Sequence, residues 1–183
     1  TLKIPHRSDA VIGVIWAVGM SIGIIFSELT PGYNAGLISY LFGSILTISN
    51  NDIYMMIGVD ISLLIFITIF YNQILLLSYD KEFSKVRGLN VPFLNTLLLI
   101  LISLTIVMSV RAIGLILIIA LFTIPPFIAE KWTNSLKQMM FVGGILSLIF
   151  MVSGIFISFY YDISATATII LVATIGFFLS MLK

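Results

Sequence analysis

The stretch Leu75–Phe93, "LLLSYDKEFSKVRGLNVPF", places five charged residues, Asp80, Lys81, Glu82, Lys85 and Arg87, within eight positions. Long apolar runs lie on both sides of it, and no other part of the chain resembles it. The 183-residue chain is 60% hydrophobic and 9% charged, whereas a soluble domain carries about 25% charged residues. Such a chain cannot cover a water-soluble surface, so it reads as an integral membrane protein in contact with lipid. Lipid tolerates only helices and closed barrels, and the apolar runs are too long for barrel strands, which leaves an all-α bundle. A net charge of +1 points to no nucleic-acid partner. The sequence has no cysteine, hence no disulfide and no thiolate metal site.

Six runs are long and apolar enough to cross a bilayer: roughly 9–28, 52–77, 92–110, 112–129, 138–161 and 164–182. A seventh, "NAGLISYLFGSILTIS" (34–49), is shorter and richer in small and polar residues. With the Asp80–Arg87 turn on the cytoplasmic side and 34–49 not crossing, Lys3, Arg7, Lys81, Lys85, Arg87, Lys131, Lys137 and Lys183 are inside and only Arg111 is outside. Making 34–49 a full span moves Lys3 and Arg7 outside. The positive-inside rule therefore favours a re-entrant segment with both ends at the outer face. Pro31, Gly36 and Gly43 suit a broken helix there, and a short tilted span is the alternative. The start, "TLKIPHRSDAVIG", lacks an initiator Met and the pattern of a signal peptide. The expectation is one transmembrane domain over 1–183, the C-terminal part of a longer protein.

The charged turn reads as a short helix on the cytoplasmic face, within 78–90. Asp80 is the N-cap, Phe83 and Val86 share one side, and Gly88 is the stop. An ordinary topology-setting loop needs only Lys and Arg. It has no use for Asp80, Glu82, Phe83, a helical period or a terminal Gly. A compact surface helix with mixed charge and an exposed aromatic is what docking to a soluble partner requires.

Here the sequence resembles a family. "SYDKEFSKVRGLN" is similar to the coupling loop of bacterial ABC-transporter permeases that import zinc, manganese or iron, in which "D-x-E-F/A-A-x-x-x-G" recurs. Asp80, Glu82, Phe83, Ser84 and Gly88 match that pattern, and Arg87 lies within it. "LISYLFGSILTISNND" (37–52), "RAIGLILIIALFTIPPFIA" (111–129) and "YYDISATATIIL" (160–171) resemble further segments of the family in the same order. The resemblance runs from about Asp9 to the end; "ISATAT" departs from it in lacking the usual Pro and Gly. It implies the bundle of type II importers, here six spans and one short re-entrant helix, in the bacterial cytoplasmic (inner) membrane. It also implies a homodimer of permeases, a separate cytoplasmic ATP-binding-cassette ATPase that holds the ATP, and an extracytoplasmic metal-binding protein. The metal is a transported divalent ion rather than a resident cofactor. Its ligands are expected in family helices that precede this stretch.

Asp60 lies inside the 52–77 span. A charged group at that depth costs about 2.5–3.5 kcal/mol on insertion scales, so it faces the bundle or water. It is either part of a cation pathway, since hard carboxylate oxygens attract divalent metals, or a polar group hydrogen-bonded to Ser62 or a neighbouring helix. A lone carboxylate favours the second reading. Glu28, Asp52 and Asp162 fall at outer span ends. They form either an acidic vestibule or binding-protein contact, or ordinary solvated helix ends. Arg111 is a contact for an acidic binding protein or, more simply, a residue snorkelling to headgroups. His6, the only histidine, sits beside Arg7 at the cytoplasmic edge and reads as solvated. Pro125 and Pro126 interrupt a span as a hinge or, more simply, as a fixed bend. Gly and Ser along 143–158 suit close helix contacts.

No Walker-type loop, zincin His pair or nucleophile elbow is present in the sequence. The chain is therefore expected to be a transport subunit and not an enzyme. A permease for an iron–siderophore or cobalamin chelate is the alternative substrate class. A secondary transporter or membrane scaffold is the alternative without an ATPase.

Overall fold

The computed structural model describes residues 8–28 and 48–182. Seven helices account for nearly all of them: α1 (Ser8–Glu28), α2 (Asn50–Tyr79), α3 (Lys81–Val86), α4 (Val91–Ile113), α5 (Leu115–Trp132), α6 (Leu136–Tyr161) and α7 (Ala165–Met181). No strand occurs among the described residues. By length and apolarity α2, α4, α5 and α6 are each able to cross a membrane, while α7 and the apolar stretch Val11–Ser27 of α1 are shorter. The segment 34–47, which carries most of the expected re-entrant element, lies outside the described residues, as do Lys3, His6, Arg7 and Lys183.

The observed ends differ from the expected ones where local chemistry decides them. The sequence reading broke the chain at Arg111. The helix instead runs through Arg111 to Ile113, and the break falls at Gly114, whose φ of +83° is open to glycine without a side-chain penalty. At the start of α6, the N-cap Ser135 Oγ accepts from the Gln138 N–H, and Gln138 Oε1 accepts from the N–H of Asn134, the residue before the cap, a variant of the Ser-x-x-Gln capping box.

The chain divides into two compact units, one drawn from Thr1–Ser44 and Ile113–Lys183, the other from Ile45–Ala112. In the first, α5 and α7 are the most buried helices, and α5 packs on α1, α6 and α7. Ile116, Leu117, Ile124 and Ala129 of α5 are buried, as are Ile169, Ile170 and Phe177 of α7 and Val14 and Ala17 of α1. Two glycines let α6 and α7 approach. A Cβ on Gly154 would sit 2.5 Å from the Ile169 Cα, and one on Gly176 would sit 2.8 Å from the Phe150 ring. This is the small-residue packing expected for 143–158.

Contacts along this unit give the helix directions. Phe127 meets Phe177 at 4.8 Å between ring centroids, and Lys131 Nζ donates to the Ser180 carbonyl at 2.6 Å, so α5 and α7 run parallel. The Gly154–Ile169 and Phe150–Gly176 contacts make α6 antiparallel to α7. Ser21, in the second half of α1, donates its hydroxyl to the Ala167 carbonyl, near the start of α7, at 3.0 Å, both residues being fully buried, while Gly13 in the first half of α1 faces Thr123 in the middle of α5. Helix α1 is therefore antiparallel to α7. These are the relative directions that the charge pattern predicts for the four helices.

In the second unit, α2 and α4 meet near both of their ends. Leu77 of α2 packs with Val91 and Leu94 of α4, with Phe70 and Leu89 against them. At the opposite end Arg111 reaches Asp52. Much of the remaining surface of both helices is exposed and apolar, for example Ile61, Leu64 and Ile69 on α2 and Ile100 and Val107 on α4.

Candidate functional site

The turn between α2 and α4 is built around one residue used twice. The Asp80 N–H donates to the Leu76 carbonyl at 3.0 Å and closes α2. The Asp80 side chain then opens α3, its Oδ1 accepting from the backbone N–H groups of Glu82 (2.8 Å) and Phe83 (3.1 Å). These are donors that a helix start otherwise leaves unsatisfied. Ser84 folds its hydroxyl onto the Asp80 carbonyl at 2.7 Å and is fully buried. A small residue is needed at that position because it faces inward at the turn.

The other end closes as the sequence predicts. Gly88 has φ +79°. Its N–H donates to the Lys85 carbonyl (2.9 Å), and the Leu89 N–H donates to the Ser84 carbonyl (3.2 Å). This pair of bonds is the Schellman closure. Leu89 then packs on the Leu77–Val91–Leu94 cluster, which ties the turn to both long helices. Asn90 Oδ1 accepts from the Phe93 N–H and starts α4.

With its backbone groups satisfied, α3 shows its side chains outward. Phe83 is 46% exposed and Val86 85%. The Arg87 guanidinium lies over the Phe83 ring, 5.2 Å from its centroid. Lys85 and Glu82 approach to 4.0 Å, but both are highly exposed, so the pair contributes little. The product is a firmly seated helical turn carrying an aromatic–cationic knob, a surface able to fill a pocket on a soluble protein.

The other residues singled out in the sequence do not all join it. Asp52 is half-buried and pairs with exposed Arg111 at 3.5 Å. That contact between the start of α2 and the end of α4 was not foreseen, although both residues fall at outer ends of neighbouring spans. Asp60 is exposed on α2, and its carboxylate has no hydrogen-bond partner among the described residues. The hydroxyl of Ser62 donates to the Val59 carbonyl rather than to Asp60. Asp162 is exposed at the end of α6 in the left-handed region, φ 54° and ψ 43°. Glu28 is the last residue of α1, and its side chain lies outside the described ones. Pro125 is buried inside α5, and Pro126 lies 3.9 Å from where a Cβ on Gly143 of α6 would be, so the pair sits in the α5–α6 contact. Among the described residues no three His, Asp or Glu side chains gather into a metal-sized cluster.

Comparison with known proteins places this architecture. The chain is 41% identical over 179 residues to the uncharacterized membrane protein slr2045 of Synechocystis, covering 98% of this chain and 64% of that protein. It is 33% identical over 174 residues to the manganese import system permease protein ScaB of Streptococcus gordonii, covering 95% and 62%. Among solved structures it is similar to PsaBC from Streptococcus pneumoniae in complex with Fab, with a TM-score of 0.73 and 32% identity, over 95% of this chain and 62% of that one. The chain thus spans just over three fifths of the length of these relatives. The apolar helical bundle, the capped turn between its long helices and a match across residues 3–183 together make this chain a member of the ABC 3 transport family.

Proposed function

We propose that the chain is the membrane-spanning permease part of an ATP-driven importer of a first-row divalent metal ion, with manganese ahead of zinc and iron. The observation that carries this is α3: a turn closed at both ends by its own sequence, with Phe83 and Arg87 presented outward. The printed names of relatives, ScaB and the manganese transport system membrane protein of Halalkalibacterium halodurans, support the metal.

In this reading α3 is the coupling helix, and a separate cytoplasmic ATPase holds the ATP. Asp80 caps α2 and α3 alike, so no flexible linker separates the docking turn from the 30-residue α2. A displacement of α3 on ATP binding is then delivered to the end of α2 and alternates access between the two faces of the membrane. The expected assembly is a homodimer of permeases in the inner membrane, of the type II importer kind, supplied by an extracytoplasmic metal-binding protein. Each permease has six spans in this stretch, with 34–49 re-entrant. The antiparallel setting of α1 against α7 supports that topology.

The test is manganese-54 uptake by membrane vesicles bearing the protein and its co-purifying ATPase. ATP-dependent accumulation that cold Mn²⁺ competes is the expected result. Uptake of cobalamin or a ferric chelate without free metal, or uptake that needs no ATPase, overturns it.

A further inference from the structure

Helix α2 carries a ridge that its packing leaves unexplained. Asp60, Leu64, Thr68 and Asn72 follow one another at four-residue spacing and form a continuous row that drifts about 40° per step. All four are exposed. The row is centred roughly 160° around the helix from Phe66, Phe70 and Leu77, the side that packs within its unit. It lies well inside the helix: Asp60 is about 15 Å from the Asn50 end and Asn72 about 10 Å from the Tyr79 end.

The polar members differ in how they are satisfied. Thr68 Oγ1 donates to the Leu64 and Ile65 carbonyls at 2.8 and 2.9 Å and needs nothing further. Asp60 and Asn72 have no side-chain partner among the described residues. Asp60 is too short to reach the membrane surface from its depth as a Lys or Arg does, whereas Asn72 falls within a few ångströms of the edge of a hydrocarbon core about 30 Å thick. A carboxylate held at the depth of Asp60 requires water, ions or polar groups of another polypeptide segment opposite it, because hydrocarbon offers neither a donor nor an acceptor.

We propose that the Asp60–Leu64–Thr68–Asn72 face of α2 lines an aqueous route through the membrane, and that Asp60 is a station for a divalent cation on it. The proposal deepens the permease reading and rests on it for the identity of the cargo. The wetting of the face, from one side of the membrane or the other, is read without an uptake assay. Leu64 belongs to the wet face although it is apolar, and Ile69, about 180° around from Asp60, belongs to the lipid-facing side although it is more exposed, 68% against 60%.

The natural absence of cysteine makes the test direct. Leu64→Cys and Ile69→Cys, each made in the protein in membrane vesicles, are reacted with a charged, membrane-impermeant methanethiosulfonate. A thiol reacts as its thiolate, which forms in water and not in hydrocarbon, so Leu64→Cys should react at least about tenfold faster than Ile69→Cys. Added MnCl2 should slow the reaction at Leu64→Cys, and the slowing should vanish when Asp60→Asn is combined with it. Equal rates at the two positions, or no reaction at either, overturn the aqueous route. A rate that Mn²⁺ leaves unchanged refutes the cation station. Absence of manganese uptake with the labelling pattern intact would instead count against the permease reading and leave the wet face standing.

Discussion

Replacing Phe83 with Ala isolates what α3 offers to a partner from what it does for its own fold. The ring is 46% exposed, which for an aromatic side chain of about 200 Å² leaves about 90 Å² for a partner to cover. At about 25 cal/mol per Å² that surface is worth roughly 2 kcal/mol on docking, or about thirtyfold in Kd. The variant also removes the Arg87 contact over the ring, worth about 0.5–1 kcal/mol at an exposed site, but that contact exists in the free protein and its loss falls on both states. The caps of α3 are made by Asp80, Ser84, Lys85, Gly88 and Leu89 and do not involve the ring. The turn should therefore keep its shape. Expression should match the parent and the turn should stay protease-resistant, thermal stability in detergent should fall by no more than about 2–3 kcal/mol for the half of the side chain already covered, and the affinity of the ATPase subunit, titrated onto nanodisc-embedded protein, should fall about thirtyfold. If Phe83→Ala binds the ATPase like the parent, α3 is a topology signal and not a docking element. If it unfolds the turn, the exposure argument is wrong.

Two more predictions separate backbone chemistry from packing. Asp80→Ala removes both cap bonds of α3 and should weaken the turn by about 1 kcal/mol; amide exchange at Glu82 and Phe83 should rise, while Asp80→Asn keeps their protection. Equal protection in the Ala variant would show that the cap is dispensable. Gly154→Ala should lower the thermal stability of the bundle by about 1–3 kcal/mol, because the new Cβ meets the Ile169 backbone and α6 must move off α7. Gly144→Ala on the same helix meets nothing within 4 Å and should raise stability by up to about 1 kcal/mol. The same sign for both would remove close packing as the reason for Gly154.

Much of this protein is written locally. The apolar runs, the Asp80 cap and the Gly88 stop depend on residues within a few positions of one another, because backbone hydrogen bonds close over three to five residues. One sequence therefore sufficed to place α3 and its exposed Phe83. The expected break at Arg111 moved to Gly114 because a charge is tolerated in the last turn of a helix, whereas the break between α4 and α5 is made at a positive φ. Contacts across the bundle had no such local signature. Gly154 looks like Gly144 in the sequence, and only the approach of Ile169 makes one indispensable and leaves the other in open space. Asp52 and Arg111 are 59 positions apart, and their pairing depends on α2 and α4 lying side by side. Asp60 shows the difference most directly. The sequence placed a carboxylate in a membrane helix and favoured a hydrogen bond to Ser62 or a neighbouring helix. Only the structure turned Ser62 to Val59 and set the row Asp60, Leu64, Thr68 and Asn72, which helical spacing already lines up, opposite the packed side, because a helix's faces acquire a meaning only when its neighbours take one of them.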